Sequence, residues 1–598
     1  MILIFGGTTE GRLAASVLDK AGAPFFYSTR DGLQQLVLAN GMAVSGGLDR
    51  EGIVEFCRAR GIRLIVDAAH PFAESLHANI SEASRELGVP VVRYERRYPP
   101  RDPRCVWCAG FGDAIGRMRR DGVSRLLALT GVQTIGKLSP FWRETPTWFR
   151  ILDRRESRIL AEEKGFPVSR LVYYKDDGDI RKCLEEIAPD AVLTKESGES
   201  GGFVRKVSEA LEAGVKVYVV ERPEMSEDFI KVEGPVGLRK AVERLVPGFY
   251  KLRSGFTTGS CATAAAKGAL ISLLDGEACE EVAISLPGGE VFRFRMEECE
   301  VGGATASATV VKDAGDDPDV TDGCRITATV RINGKGIIRF LRGEGVGVVT
   351  LPGLCLEVGE PAVNPVPRRM MTAELMALCP EGVDVTISVA DGTRIAEKTF
   401  NPRVGVIGGI SIIGTSGVVM PFSHEAFMES IRREMEVAVA TGCRMLVLNS
   451  GARSEKAVRK AFPALSDAAF IHYGNAVGDT VATASEFDLD GVAVGLMVGK
   501  AVKLAEGNLD THSHKVTFNR EFLCRVASGA RCSEDMTRRI MGMTLARELW
   551  DCGKTDADRF FPALLRLCRE HCRRLLPATP LILILIDDSL RLRYTLDS

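Results

Sequence analysis

Ile2-Leu-Ile-Phe-Gly-Gly-Thr-Thr-Glu-Gly11 decides how the first half of this chain is read. Four apolar residues run straight into a glycine-rich turn, and Gly11–Ala21 continues with helical spacing. A buried strand that enters a glycine turn and then a helix opens a parallel sheet covered by helices. Outward from it, short apolar runs recur at Pro24–Tyr27, Leu64–Asp67, Pro90–Arg93, Leu126–Thr130, Trp148–Ile151, Leu171–Tyr174, Ala191–Thr194 and Val215–Val220. Helical stretches such as Ser75–Leu87 lie between them. The alternation predicts an α/β region over residues 1–247, divided into two lobes at about 1–100 and 101–247.

Gly6-Gly-Thr-Thr-Glu-Gly11 stands where a Rossmann-like fold carries its phosphate loop, although the spacing is not GxGxxG. Glycines let the backbone approach a pyrophosphate, whose charge rests on the helix N-terminus. The second run ends in Ser28-Thr29-Arg30, about 20 residues on, where an NAD site carries an acidic residue for the ribose diol. Hydroxyls with a guanidinium suit a 2′-phosphate. Gly6, Gly7, Thr8, Thr9, Glu10, Gly11, Ser28, Thr29 and Arg30 are therefore read as an NADPH site, NADH being the less favoured nicotinamide. The competing reading is a strand–turn–helix without a ligand. His70, in Asp67-Ala-Ala-His-Pro-Phe-Ala73, follows the third run and is the catalytic candidate; as a residue type it serves equally as proton donor, ligand contact or helix cap. Thr130, in Thr130-Gly-Val-Gln-Thr134, and Lys195 and Ser197, in Thr194-Lys-Glu-Ser-Gly198, end runs of the second lobe and are candidates for binding carboxylates across a cleft.

At 598 residues the chain is too long for one core. A net charge of −2 gives no electrostatic footing for nucleic acid or an anionic membrane. Of 16 cysteines, only Cys105-Val-Trp-Cys108 has metal-like spacing, and no second pair follows it. No protein metal site is expected, and the thiols are read as reduced, in a cytoplasmic protein. Pro580-Leu-Ile-Leu-Ile-Leu-Ile586 is far shorter than the roughly 20 residues of a membrane helix and reads as a buried strand turned back into Leu590–Tyr594.

A second opening follows Pro247-Gly248-Phe249-Tyr250. Thr257-Thr-Gly-Ser-Cys-Ala-Thr-Ala-Ala-Ala-Lys267 is a hydroxyl-rich turn leading an alanine-rich helix, with Thr258 or Ser260 as N-cap. Thr257, Thr258, Gly259 and Ser260 are substrate-binding candidates. Lys312-Asp-Ala-Gly-Asp-Asp-Pro-Asp-Val-Thr321 is acidic but lacks the EF-hand pattern, so it reads as a turn. A strand at Val404–Ile407 is expected to feed a second glycine-rich loop, in which Gly408, Gly409, Gly414, Thr415, Ser416 and Gly417 would hold S-adenosylmethionine or a phosphate. His512, Ser513 and His514 end a polar cluster and are read as substrate contacts or caps, since their spacing is not that of a metal pair. The expected fold is a two-part domain: 250–400 α+β, 401–520 α/β, and 521–598 a helical tail with terminal strands.

Taken together and in order, Gly6–Arg12, Asp67–Ala73, Arg93-Tyr-Glu-Arg96, Thr130–Thr134 and Lys195–Gly198 resemble the precorrin-6A reductase family of cobalamin biosynthesis. That resemblance implies a two-lobed reductase that adds a nicotinamide hydride to one double bond of a tetrapyrrole held between its lobes. Ser254–Ala262, Lys312–Thr321, Gly343-Glu-Gly-Val-Gly347, Asn364-Pro-Val-Pro-Arg368, Asn401–Gly417, Asn475-Ala-Val-Gly-Asp479 and Asp510–Lys515 resemble the cobalt-precorrin-5B methyltransferase family. It implies methylation of ring carbon 1 by S-adenosylmethionine, with cobalt present only as part of the substrate. The combined expectation is a bifunctional enzyme that turns cobalt-precorrin-5B into cobalt-precorrin-6A and then cobalt-precorrin-6B, with other corrin-pathway enzymes as further partners. The alternative is a tetrapyrrole carrier with vestigial cofactor sites.

Overall fold

The computed structural model describes every residue except 31, 33–35, 176–179, 513–518 and 598. The chain divides into two compact units, Met1–Lys251 with Gly288–Glu290, and Leu252–Pro287 with Val291–Ser598. Among the described residues, no helix is long and apolar enough to cross a membrane.

Among the described residues, the first unit contains twelve strands: β1 Ile2–Phe5, β2 Phe25–Thr29, β3 Gly41–Ser45, β4 Leu64–Asp67, β5 Val91–Glu95, β6 Val106–Cys108, β7 Leu126–Ala128, β8 Thr147–Leu152, β9 Leu171–Tyr174, β10 Ala191–Lys195, β11 Lys216–Val220 and β12 Ile230–Glu233. They form two six-stranded sheets, ordered β12-β5-β4-β1-β2-β3 and β6-β11-β10-β7-β8-β9. Every pairing in both is parallel. Burial on both faces explains the near-continuous apolar runs of the central strands, such as Ile2, Leu3 and Ile4, none of which reaches solvent. In the first sheet the chain leaves β1 on one side for β2 and on the other for β4; in the second it leaves β7 for β8 and for β10. In sheets of this kind ligands collect where the direction reverses, here at the carboxyl ends of β1 and β4 and of β7 and β10.

The lobe division differs from the expected one. β12 returns to the first sheet, pairing Ile230 with Val92 and Val232 with Tyr94. The helix that follows, Gly234–Leu245, buries Leu238, Ala241 and Val242 in the first lobe's core. The first lobe thus takes in residues 230–250 as well as 1–95. β12 alternates Ile230 and Val232 with Lys231 and Glu233, the pattern of a half-covered edge strand, and four residues of it make no apolar run.

In the second unit, the helix Thr258–Asp275 packs on a five-stranded mixed sheet whose order is Glu298–Gly302, Thr305–Val311, Arg325–Ile332, Val383–Val389, Ile338–Arg342. Small residues let helix and sheet approach: a Cβ on Gly268 would lie 2.7 Å from the Met296 sulfur. A second five-stranded sheet runs Phe470–His472, Met445–Asn449, Gly491–Met497, Leu581–Ile586, Leu592–Leu596, parallel except for the last pair. Two boundaries move as a result. The terminal strands belong to the α/β sheet and are not part of a tail. The segment 401–419 belongs to the first part, because Val406–Ile407 pairs with Val348–Val349 and Val418–Val419 with Gly255–Phe256. The expected strand Val404–Ile407 is a 3₁₀ turn over Asn401–Val404, ended by Gly405 at φ +72°, followed by two paired residues.

At the end of β4, the Asp67 side chain is fully buried. It lies 3.0 Å from Arg93 Nη1 and 2.8 Å from His77 Nδ1. Arg93, also fully buried, reaches Glu95 at 2.8 Å. Burial alone would push the Asp67 carboxyl up; the His77 hydrogen bond and the Arg93 charge outweigh it and hold it below its ordinary value. Removing one partner of such a pair strands a charge without water. Arg93→Met is expected to destabilise the first unit by about 3–5 kcal/mol, read as faster hydrogen exchange of β4 and β5 amides in the full chain. Exchange matching the wild type would show that the pair does not hold this edge.

Candidate functional sites

β1 enters the helix Thr9–Asp19 through Gly6, Gly7 and Thr8. Thr8 caps the helix: its Oγ1 accepts the Gly11 amide at 2.9 Å and donates to the Ala68 carbonyl at 2.6 Å, tying the ends of β1 and β4 together. Gly6 is fixed by packing, since a Cβ would meet the Tyr27 hydroxyl at 2.2 Å and its ring at 2.3 Å. Gly7 is fixed by its left-handed φ of +88°, and the space around it is open. The helix's first amides have no partner within the helix, which suits a pyrophosphate. Ser28 and Thr29 end β2 beside this turn; Ser28 is buried and its carbonyl accepts the Gly6 amide at 2.9 Å, while Arg30 is exposed. These residues fit a dinucleotide. Glu10 faces elsewhere: its carboxylate lies 2.9 Å from Arg96 and accepts the Ser200 hydroxyl, linking the two lobes.

His70 follows β4. Its Nδ1 accepts the Phe72 amide at 3.2 Å. Burial, then the charges of Lys195, Arg96, Arg93 and Lys206, pull its pKa down to about 3, so the ring is neutral near pH 7. Across from it, Thr130 stands two residues after Ala128 of β7 and Lys195 two after Leu193 of β10, a pair in register. Thr130 shares a 2.6 Å hydrogen bond with Thr134, and the buried Ser197 gives its carbonyl to Arg96 at 2.7 Å. Lys195 lies with its Nζ 5.1 Å from the Phe72 ring. Burial, then Lys206, Lys137 and Arg96, lower its pKa to about 8. The lobes thus bring His70, Thr130 and Lys195 to one crevice lined by cations, which favours a polyanionic ligand. Arg96, Lys137 and Lys206 were not among the sequence candidates; the Arg93-Tyr-Glu-Arg96 run, polar where a strand should be apolar, was the available signal for the first of them.

In the second unit, the hydroxyl-rich turn docks on the glycine segment. Thr257, not Thr258 or Ser260, caps the helix, accepting the Ser260 amide. Thr258 Oγ1 accepts the Ile413 amide at 2.9 Å, Gly259 donates its amide to Ile413 at 2.9 Å, and Ser260 donates to the Gly417 carbonyl at 2.7 Å. The glycines follow from that closeness: Cβ atoms on Gly409, Gly414 and Gly417 would meet Gly345, Thr257 and Leu286 at 2.3, 2.2 and 2.8 Å. Gly408, at φ +81°, would meet Arg342 at 2.7 Å. Thr415 and Ser416 are exposed. The segment does not follow a strand of the parallel sheet, so it is no phosphate loop of that sheet. The acidic loop is a set of turns: Lys312, buried, binds Asp319 at 2.8 Å, Asp322 accepts the Ala314 amide at 2.7 Å, and Asp317 accepts the Phe422 amide at 3.0 Å. Among the described residues, no cluster of three His, Cys, Asp or Glu could hold a metal ion.

The parallel sheet has its own direction reversal, between Met445–Asn449 and Gly491–Met497. Asn449, fully buried, accepts the Gly451 amide on its Oδ1 at 3.2 Å and donates its Nδ2 to Ile471 at 3.3 Å. Gly451 is open around its α-carbon. Lys500 donates to Gly474 O at 2.7 Å, Asn475 Oδ1 at 2.6 Å and Thr511 Oγ1 at 3.2 Å, fixing two neighbouring loops. His512 donates its amide to Asp510 at 3.0 Å; Ser513 and His514 lie outside the described residues. In register with Asn449, His472 meets Glu455, which lies 3.2 Å from Arg403. A cavity of about 790 Å³ is lined by Cys355, Leu356, Pro365, Arg368 and Arg369.

Glu434 belongs to the same cluster, 3.7 Å from Arg403. Burial, opposed by Arg403, pushes it up to about 7. The folded chain holds this proton above the unfolded value of about 4.3. The stability it contributes is complete below about 4.3 and lost as pH rises through 7. Glu434→Gln is therefore expected to gain on the wild type in urea unfolding as pH rises from 5 to 8. A difference independent of pH would contradict the assignment.

Comparison with known proteins gives the same two halves. A family described as precorrin-6x reductase CbiJ/CobK matches residues 1–238. The CbiD family matches residues 247–421, and the CbiD C-terminal domain residues 510–594. A cobalt-precorrin-5B C(1)-methyltransferase of Prosthecochloris aestuarii is 46% identical over 349 residues, covering 56% of this chain and 94% of that protein. One from Priestia megaterium is 42% identical over 325 residues, covering 53% and 88%. A solved CobK precorrin-6A reductase is similar at 22% identity over 41% of this chain and 97% of its own, with a TM-score of 0.35.

Proposed function

The chain belongs to the cobalt-precorrin-5B C(1)-methyltransferase family and carries a precorrin-6x reductase ahead of it, and from that premise we propose that its second unit methylates cobalt-precorrin-5B with S-adenosylmethionine and its first reduces the product, cobalt-precorrin-6A, with NADPH. It is a bifunctional enzyme of cobalamin biosynthesis, a C-methyltransferase joined to an oxidoreductase.

For the reduction, the supporting observation is the crevice shared by the two lobes. Gly7, Thr8 and the amides of Thr9 and Glu10 would hold the pyrophosphate, and Ser28, Thr29 and Arg30 the 2′-phosphate. When bound, the nicotinamide supplies a hydride. Lys195, Lys206 and Arg96 present positive charge to the carboxylates of the macrocycle, and Thr130 and Ser197 line the same edge. His70, neutral, offers a hydrogen bond from Nε2.

For the methylation, we place the sulfonium donor at the direction reversal of the parallel sheet, on Asn449–Gly451 and the neighbouring loop Gly474–Gly478, because the backbone at Gly451 is open and the buried Asn449 lies beside it. The cavity at Arg368 and Arg369 is the proposed seat of the macrocycle. Methyl transfer requires alignment of sulfur, methyl and carbon more than an acid or base, and loops held by Lys500 provide a fixed frame for it. The segment Gly408–Gly417, Thr257–Ser260 and His512 support that frame. The cobalt is substrate. The site of action is proposed to be the cytoplasm.

Two measurements test these placements. Arg30→Ala should lower the NADPH-over-NADH preference in cobalt-precorrin-6A reduction by about 10- to 100-fold, the worth of a charge-assisted contact; an unchanged preference removes Arg30 from the cofactor site. Lys500→Met should weaken S-adenosylmethionine binding by about tenfold or more in calorimetry, since three acceptors lose their donor. Affinity equal to the wild type would move the methyl donor away from these loops.

A further inference from the structure

Several cations gather at the carboxyl edges of the first unit's sheets, and four of them have partners. Arg93 binds Asp67 and Glu95, Arg96 binds Glu10, Lys137 binds Glu74 at 3.0 Å, and Lys206 donates to the Gly201 carbonyl at 2.7 Å. Lys195 is paired with no carboxylate among the described residues, and every charge that acts on it is positive. Its ammonium stands over Phe72 at the carboxyl end of β10, and its charge helps to lower the pKa of His70.

We propose that Lys195 is the acid of the reduction, giving its proton to the end of the substrate double bond that does not receive the hydride. The inference rests on the reductase reading of this unit. Reduction forms one C–H bond with a hydride drawn from the nicotinamide, which is oxidised, and the π electron pair moves to the other end of the double bond. That end takes a proton from the Lys195 ammonium, whose N–H bond breaks. The macrocycle gains two electrons and two hydrogens, and the neutral amine regains its proton from water.

The neighbouring groups are poorer acids or are already bonded. His70 is neutral, with Nδ1 bound to the Phe72 amide. Thr130 and Thr134 bond each other. Glu10 is bound by Arg96 and Ser200, and Glu196 accepts the Arg222 amide at 3.1 Å and has Arg101 at 3.5 Å. The groups facing Lys195 are Lys206, Lys137, Arg96 and His70, and both burial and like charge favour its neutral form, as an acid working near neutral pH requires.

A cation that only docked a substrate carboxylate would be replaceable by arginine; an acid would not, because a guanidinium keeps its proton. Lys195→Arg is expected to lower kcat/KM for cobalt-precorrin-6A by about 100-fold or more, to lose the wild type's fall in rate above about pH 8, and to leave substrate affinity within about threefold. A second readout needs no turnover: trace acetylation of the full-length wild type across pH, read by peptide mass spectrometry, should show Lys195 titrating near 8. Lys195→Arg with wild-type rate and its alkaline limb intact, or a Lys195 that titrates above 10, overturns the proposal. A wild type that does not oxidise NADPH with this substrate overturns instead the reading beneath it.

Discussion

A parallel strand that ends in a buried polar side chain must find partners for it, and in both units that requirement shapes the edge where ligands would lie. In the first unit the residue is Asp67. Its carboxylate takes Arg93 and His77, and its Oδ1 accepts the Ala69 amide at 3.1 Å, so the turn carrying His70 is set by an ion pair beneath it. In the second it is Asn449, which accepts the Gly451 amide and donates across to Ile471. Neither side chain touches solvent. Each is costly to leave unsatisfied, so each fixes the conformation of the loop that follows its strand.

The chemistry expected of the two units differs, and the edges differ accordingly. The first gathers cations, with Arg96 and Lys137 neutralised by Glu10 and Glu74, and among the described residues it pairs Lys195 with no carboxylate. A reductase of a polycarboxylate macrocycle needs both positive charge and a group able to release a proton. The second unit offers neutral polar loops clamped by Lys500, which suits a transfer governed by alignment. Family membership says what each half acts on; these edges supply the residues through which it would do so.

Much of the first unit was legible in sequence because central parallel strands are apolar without interruption. Ile2–Phe5 entering Gly6-Gly7 was read as strand and turn, and the Rossmann-like character follows. β12 was not legible: four alternating residues at Ile230–Glu233 find their partner at Val92–Glu95, far back in the chain. In the second half, Leu581–Ile586 was recognised as a buried strand, but its place beside Gly491–Met497 depends on pairing that no local pattern encodes. The glycines of 408–417 misled for a physical reason. Glycine marks close approach of backbone, and sequence does not say whether ligand or protein approaches; here Gly345, Thr257 and Leu286 do. Lys195 was visible as a candidate, whereas its having no carboxylate partner among the described residues appears only once its neighbours are placed.

The central claim is that one chain carries out two successive steps, the second unit first and the first unit second. Incubating the full-length protein with cobalt-precorrin-5B, S-adenosylmethionine and NADPH, and following the corrinoid by mass spectrometry, tests it most directly. The expected result is gain of one methyl group followed by gain of two hydrogens, with the methylated intermediate accumulating when NADPH is left out. Two-hydrogen reduction of cobalt-precorrin-5B before any methylation, or no mass change with both cofactors bound, would contradict it.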